Sequence, residues 1–248
     1  MSIENDEDLA GLRHAGRVAA LALDAMRAAV SPGMTTVALD DLAAEVLKRH
    51  GARSGPHLVY AFPGTTCISV NDEIVHGIPG PRRLAAGDIV TLDVTIELAG
   101  YFADTALTVP VGEASPRALA LIDAARTAFE RAMIVTRAGA SLAGVGGTIE
   151  AEVRRRGFRV FRELYGHGIG RTIHEDPEVL NYRHPGVRTR LTEGLVITVE
   201  PLVSAGRGRT RVAGDGWTVR SIDRALAAHH EHTLVVRNGD PEILTLAA

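Results

Sequence analysis

The 248-residue sequence has one cysteine, Cys67, and one lysine, Lys48. A single cysteine excludes a disulfide framework and a cysteine-rich zinc module, and it fits a reducing compartment such as the cytoplasm. A Schiff-base enzyme or a phosphate loop ending in Gly-Lys needs a specially placed lysine. Lys48 instead lies in Glu45-Val46-Leu47-Lys48-Arg49, the pattern of a solvated helix face. A basic excess is also missing: 27 Lys and Arg stand against 30 Asp and Glu, for a net charge of -3. That balance argues against specific nucleic-acid binding, which leans on positive charge. The apolar stretch after Leu9 is cut by Arg13, Arg17, Asp24 and Arg27, so it does not span a membrane. Residues 1–8 are acidic and lack the basic start of a signal peptide. No Pro-, Gly- or Ser-rich linker interrupts the chain. Residues 9–248 therefore read as one domain, preceded by a flexible acidic segment, 1–8.

The chain resembles itself. Ala44-Glu-Val-Leu-Lys-Arg-His-Gly51 parallels Ala151-Glu-Val-Arg-Arg-Arg-Gly157, and Val75-His76-Gly77-Ile78 parallels Gly166-His167-Gly168-Ile169. Gly87 is followed six residues on by Asp93, and Gly194 six residues on by Glu200. Asp104-Thr-Ala-Leu107 parallels Glu231-His-Thr-Leu234. Matches recurring in one order point to two related halves, about 9–112 and 113–248, each with helices first and strands after. Helical spacing predicts helices over 9–30, 37–50, 116–138 and 141–156, with Ser115 capping the third and Pro116 at its first position. Strands are expected over 67–70, 89–97, 102–109, 195–201, 233–236 and 243–246, with Asn238-Gly239 as a hairpin turn between the last two. The fold class is α+β, a mostly antiparallel sheet covered by helices.

Along 89–97, Val90, Leu92, Val94 and Ile96 share one face, and Thr91, Asp93 and Thr95 the other. A turn centred on Leu98-Ala99 would set Asp93 opposite Asp104. Two like charges there need a shared proton or a cation between them. A metal is the simpler account, and a solvated hairpin face the plain alternative. Glu200 closes an apolar strand, where an acid needs a partner. Glu231 lies among His229, His230 and His232. In Gly166-His167-Gly168-Ile169-Gly170 the glycines would let backbone approach a ligand closely. His174 follows seven residues after His167, too far along one helix for a single ion, so one imidazole is the better ligand and the other the better proton donor. Asp93, Asp104, His167, Glu200 and Glu231 carry a formal charge of −4, which two divalent cations balance. An oxygen-rich set with one nitrogen suits Mn, Fe or Co at least as well as Zn.

Val75-His76-Gly77-Ile78-Pro79, the Asp93 and Asp104 pair, Gly166-His167-Gly168-Ile169-Gly170, His174-Glu-Asp-Pro177, Thr198-Val-Glu200-Pro201, Asp215-Gly-Trp217-Thr218 and Glu231-His232-Thr233 together resemble the type I methionine aminopeptidases. The resemblance runs from about Leu12 to Leu246. It implies the pseudo-two-fold "pita-bread" fold, in the short form without an N-terminal zinc-binding extension. It also implies metal-dependent removal of N-terminal methionine from nascent proteins when the second residue is small. By resemblance, Asp93, Asp104 and Glu231 hold one ion, Asp104 and Glu231 bridge to a second, and His167 and Glu200 complete that site. A hydroxide between the ions would attack the first peptide carbonyl. Glu200 would shuttle the proton, His174 would donate to the oxyanion, and His76 would contact the substrate backbone. Tyr60, Phe62, Cys67 and Trp217 would contact the substrate, the last three lining the methionine pocket. Nascent-chain N-termini are the implied partners, with transient ribosome contact and a monomeric state.

Two departures touch the side-chain pocket. Ala61 in Tyr60-Ala61-Phe62-Pro63 stands where the family has Gly or Asn, and Ile173 where it often has Phe. His229 and His230 are unusual neighbours for the bridging acid and read as solvent-facing rather than as tuning metal affinity. A broader-specificity or Xaa-Pro aminopeptidase on the same fold is the nearer alternative, although the His-rich loops of proline-specific relatives are not evident. A non-enzymatic binding protein is the more distant one.

Overall fold

The computed structural model describes residues 1–246. The first half runs α1 (Asp6–Ala29), α2 (Thr36–His50), β1 (Arg53–Ser54), α3 (Gly55–Tyr60), β2 (Cys67–Val70), β3 (Glu73–Val75), β4 (Ile89–Leu98) and β5 (Tyr101–Pro110). The second runs α4 (Pro116–Val135), α5 (Leu142–Arg155), β6 (Arg159–Val160), β7 (Tyr165–Gly168), β8 (Glu175–Leu180), β9 (Val196–Val199), β10 (Leu202–Ser204), β11 (Thr210–Val212), β12 (Val219–Ser221), β13 (Ala227–Val235) and β14 (Glu242–Ile243).

The long helices begin where capping chemistry starts them. The Asn5 side chain accepts from the Asp8 amide at 2.9 Å, and the Ser115 hydroxyl from the Ala118 amide at 3.2 Å. Gly51 ends α2 in the left-handed region, with φ 68. The main sheet is antiparallel, in the order β1-β4-β5-β13-β9-β7-β8. Helices α1 and α2 cover its first-half strands around Leu12, Met26, Leu39, Leu92 and Ile96. Helices α4 and α5 cover the second half around Leu121, Phe129, Val145, Ile149 and Ile197. The halves meet at β5 and β13, where Ala106 pairs with Glu231 and Thr105 with His232. A small sheet, β11-β12-β3, packs beside this seam and carries the loop with Trp217.

Several elements differ from the sequence expectation. Residues 1–8 are docked rather than loose. Val196 donates to the Met1 carbonyl and Ile3 to that of Gly194, both at 2.8 Å. The buried Asp8 carboxylate accepts from Tyr101 at 3.0 Å and Arg171 at 2.7 Å. The turn joining β4 and β5 is Ala99-Gly100, not Leu98-Ala99, and both residues have positive φ (52 and 86). That is the left-handed pair which matches the twist of a two-residue hairpin. The register therefore sets Asp93 against Ala106 and Asp104 against Thr95, so the two acids are diagonal neighbours rather than opposed. Strand β13 starts at Ala227, six residues before the apolar run that announces it, because Ala and His residues hide its alternation. The last strand is only Glu242–Ile243, and Asn238-Gly239 lies within a longer connection from Val235 to Glu242. Among the described residues no helix is long and apolar enough to cross a membrane.

Candidate metal centre and substrate cavity

Strand geometry brings the five candidate ligands to one floor. Asp93 lies on β4, Asp104 on β5, His167 on β7 and Glu231 on β13, and Glu200 follows the last residue of β9. All five line one cavity of about 340 Å³. Tyr60, Phe62, Cys67, His76, His174 and Trp217 line the same cavity, so every site residue expected from the sequence reaches it.

Short polar bonds fix the floor. The Asp104 amide donates to Thr233 Oγ1 at 2.9 Å, and that hydroxyl donates back to the Asp104 carbonyl at 2.8 Å. Thr105 Oγ1 donates to the Glu231 carbonyl at 2.9 Å. Thr198 links two candidate ligands, accepting from the His167 amide at 3.0 Å and donating to Glu200 Oε2 at 3.2 Å. His167 Nδ1 lies 2.8 Å from the Gly168 carbonyl. A carbonyl only accepts, so Nδ1 carries the proton and Nε2 keeps a lone pair for a ligand.

The electrostatics call for a cation. Burial, and then the charges of their neighbours, push Asp93 and Glu231 well above the usual carboxylate range. Burial raises Asp104 to about 6 and Glu200 to about 8. Burial also lowers His167 to about 4, which keeps its ring neutral. Such a set resists ionisation unless positive charge sits among its oxygens. Among the described residues, five buried side-chain polar atoms lack a hydrogen-bond partner: Asp104 Oδ1, Glu231 Oε1, both ring nitrogens of His229, and Asn181 Oδ1. Four of those five lie in this cluster, as expected of metal donors. One ligand atom each from Asp104, His167 and Glu231 lies within 4.8 Å of the others, and Glu200, His229 and Glu231 form a second such triad. The donor set thus fits divalent cations.

At the mouth, His174 Nδ1 is hydrogen-bonded to the Tyr60 hydroxyl at 2.6 Å. The His167 and His174 rings lie 4.3 Å apart, because a tight reversal after β7, not a helix, separates them. His76 has a left-handed backbone, φ 57. Phe62 and Trp217 meet edge to face at 5.3 Å, and the Cys67 thiol is held protonated by burial and then by Asp93. Ala61 explains the small residue expected at its position: it caps α3 with φ 55, a conformation Gly and Asn adopt more readily.

Two expectations are corrected. The glycines at 166 and 168 make room for backbone rather than for a ligand. A Cβ on Gly168 would lie 2.1 Å from the Asp176 carbonyl oxygen, and one on Gly166 2.7 Å from that of Thr198. His229 and His230 do not face solvent. His229 is 3% exposed and lines the cavity, whereas His230 and His232 point the other way, against Phe129 of α4. His229 is the site residue that the sequence reading missed. Its signal was the two-residue spacing to Glu231, which puts both side chains on one strand face.

The sequence model of metallopeptidase family M24 matches residues 10–238. Methionine aminopeptidase 2 of Bacillus subtilis is 41% identical over 247 residues, covering 99% of each chain. The methionine aminopeptidase of Clostridium perfringens is 38% identical over 98% of each. A crystal structure of methionine aminopeptidase from Thermotoga maritima superposes with a TM-score of 0.96 at 35% identity, covering 99% of both chains. Prolidase from Pyrococcus furiosus, 21% identical, shares the fold with a TM-score of 0.79 over 99% of this chain and 66% of its own.

Proposed function

The chain belongs to metallopeptidase family M24, and from that premise we propose that it removes the N-terminal methionine from newly made proteins whose second residue is small. The observation that carries this reading is the convergence of Asp93, Asp104, His167, Glu200 and Glu231 below a cavity lined by three further histidines, His76, His174 and His229. We assign two divalent ions to the floor, drawn from Mn, Fe, Co or Zn. Asp93, Asp104 and Glu231 would hold one, and His167 and Glu200 would hold the other together with Asp104 and Glu231. When bound, such ions polarise a carbonyl and make water a nucleophile at neutral pH.

The remaining work falls to the chain. Glu200, buried beside Glu231, takes a proton from the attacking water and passes it to the leaving amine. With the Tyr60 hydroxyl donating to Nδ1, His174 presents an Nε2–H to the carbonyl oxygen as it gains charge. His76 holds the substrate backbone on the leaving-group side. Phe62, Trp217 and Cys67 form an apolar, polarisable wall suited to a thioether, and Ile173 lines the same cavity. The enzyme acts as a monomer in the cytoplasm, on chains emerging from the ribosome.

A peptide panel tests this. Metal-stripped protein is reloaded with Mn, Co, Fe or Zn and given peptides with Met, Leu or Ala first and Gly, Ala, Pro or Leu second. Release confined to Met before small residues is the expected result. Release of other first residues would keep the chemistry and move the specificity. No release with any metal would sink the proposal.

A further inference from the structure

Strand β13 carries Glu231 and, two residues earlier on the same face, His229. The other two histidines of this strand have evident partners on the opposite face. His232 Nδ1 bonds Thr245 Oγ1 at 2.9 Å, and the rings of His230 and His232 both rest against Phe129. His229 has none. Both of its ring nitrogens are buried and lack a hydrogen-bond partner, and Nε2 lies 3.4 Å from Glu231 Oε2. Its backbone amide is held by Thr108 Oγ1 at 2.8 Å, so the strand aims the ring into the cavity. Ligand atoms of Glu200, His229 and Glu231 lie within 4.8 Å of one another, and Glu231 belongs also to the triad with Asp104 and His167. His229 therefore stands within ligand reach of Glu200 and Glu231, the acids assigned with His167 to the second ion.

The geometry points to His229 as a second imidazole donor at the metal centre, binding one divalent ion through Nε2 together with Glu200 and Glu231. This rests on the metallopeptidase reading and extends its ligand set. A ring that only filled space would leave two buried polar atoms unpaired, which natural interiors rarely tolerate. The added nitrogen shifts the centre's preference away from Mn, which favours oxygen ligands, toward Co, Zn and Fe.

The test counts imidazoles on the metal. Metal-stripped full-length protein is loaded with Co(II), and the hyperfine-shifted imidazole N–H resonances are recorded by proton NMR. Two such resonances are expected, one from His167 and one from His229, with the second absent in His229→Gln. Titration calorimetry should show Co(II) binding to the variant weakened on the order of 10–100-fold at one site, with Mn(II) binding less affected. One resonance in the wild-type protein would overturn the proposal whether or not the variant folds, and would leave His229 as a neighbour of Glu231 only. Unchanged Co(II) affinity in a folded variant would overturn it as well. Failure of the wild-type chain to bind Co(II) at all would instead remove the metallopeptidase reading on which it stands.

Discussion

The two halves deliver a pair of acids to the same floor by different routes. Asp93 and Asp104 ride on one hairpin whose two-residue turn sets their relation locally. Glu200 and Glu231 lie at the end of β9 and within β13, with β10, β11 and β12 between them. Their relation is set by ladders to other strands: Val199 pairs with His232, and Ala106 of β5 with Glu231. A local turn is a short-range decision of backbone sterics, and shifting its centre by one residue moves the pairing by two. A non-local ladder depends on the whole sheet and leaves no comparable trace in sequence. The first pair is therefore easy to suspect and the second easy to underrate. The second half also carries every histidine of the floor, His167 and His229, while the first contributes oxygen only.

The sharpest way to break this comparison is to remove one shared acid from each half. Asp104→Asn and Glu231→Gln should each lower kcat/KM by more than about 10³-fold, roughly 4 kcal/mol of transition-state stabilisation. Retained hydrolysis in either variant would show that its half is dispensable. The next effect is at the mouth. His174→Ala should lower kcat by about 10²–10³-fold, and Tyr60→Phe, which removes the bond orienting that ring, by about tenfold. Steady-state kinetics on a Met-Ala peptide distinguish them, and a Tyr60→Phe loss equal to that of His174→Ala would make the phenol more than an orienting group.

Stability against pH probes the same floor without substrate. Folding raises Glu200 from 4.5 to about 8, so the folded chain holds that proton more tightly. That stabilisation is complete below 4.5 and drains away as pH climbs toward 8. The buried histidines have the opposite sign: burial lowers His229 and His230 from 6.5 to about 3, so their effect is confined to lower pH. Metal-stripped protein should therefore lose about 1.5–2 kcal/mol from Glu200 between pH 6.5 and 8, or about 3–8 °C in Tm. Metal-loaded protein should show no such slope, and a flat profile in the stripped protein would mean that the acids ionise without a cation.

The smallest effect concerns helix ends in the first half. Ala61→Gly should stabilise by about 0.5–1 kcal/mol, the left-handed cost of Ala less the entropy of Gly. Gly51→Ala, with open space around its Cβ and φ 68, should lose about 1 kcal/mol. Thermal melts of the two variants should move in opposite directions.

Much of this site was legible before any coordinates. The five candidate ligands, the four long helices and the duplicated order of motifs all rest on spacing, which survives in a linear string. The diagonal placement of Asp93 and Asp104 was not legible, because two adjacent turn centres fit the same residues. The burial of His229 was not either, since Ala227-Ala-His-His-Glu-His232 offers no polar–apolar alternation to mark a strand. The purpose of Gly166 and Gly168 depended on Thr198 and Asp176 lying against them.

By itself the sequence determined which groups are available: four acids and an imidazole with too few basic neighbours to neutralise them, set into apolar strands that must be buried. Only the tertiary structure decided how those groups meet. Pairing β13 with β5 and β9 removes water from the carboxylates and places them within reach of one another. Burial and proximity, which exist only once strands distant in sequence are hydrogen-bonded side by side, turn five ordinary side chains into a site that demands a cation.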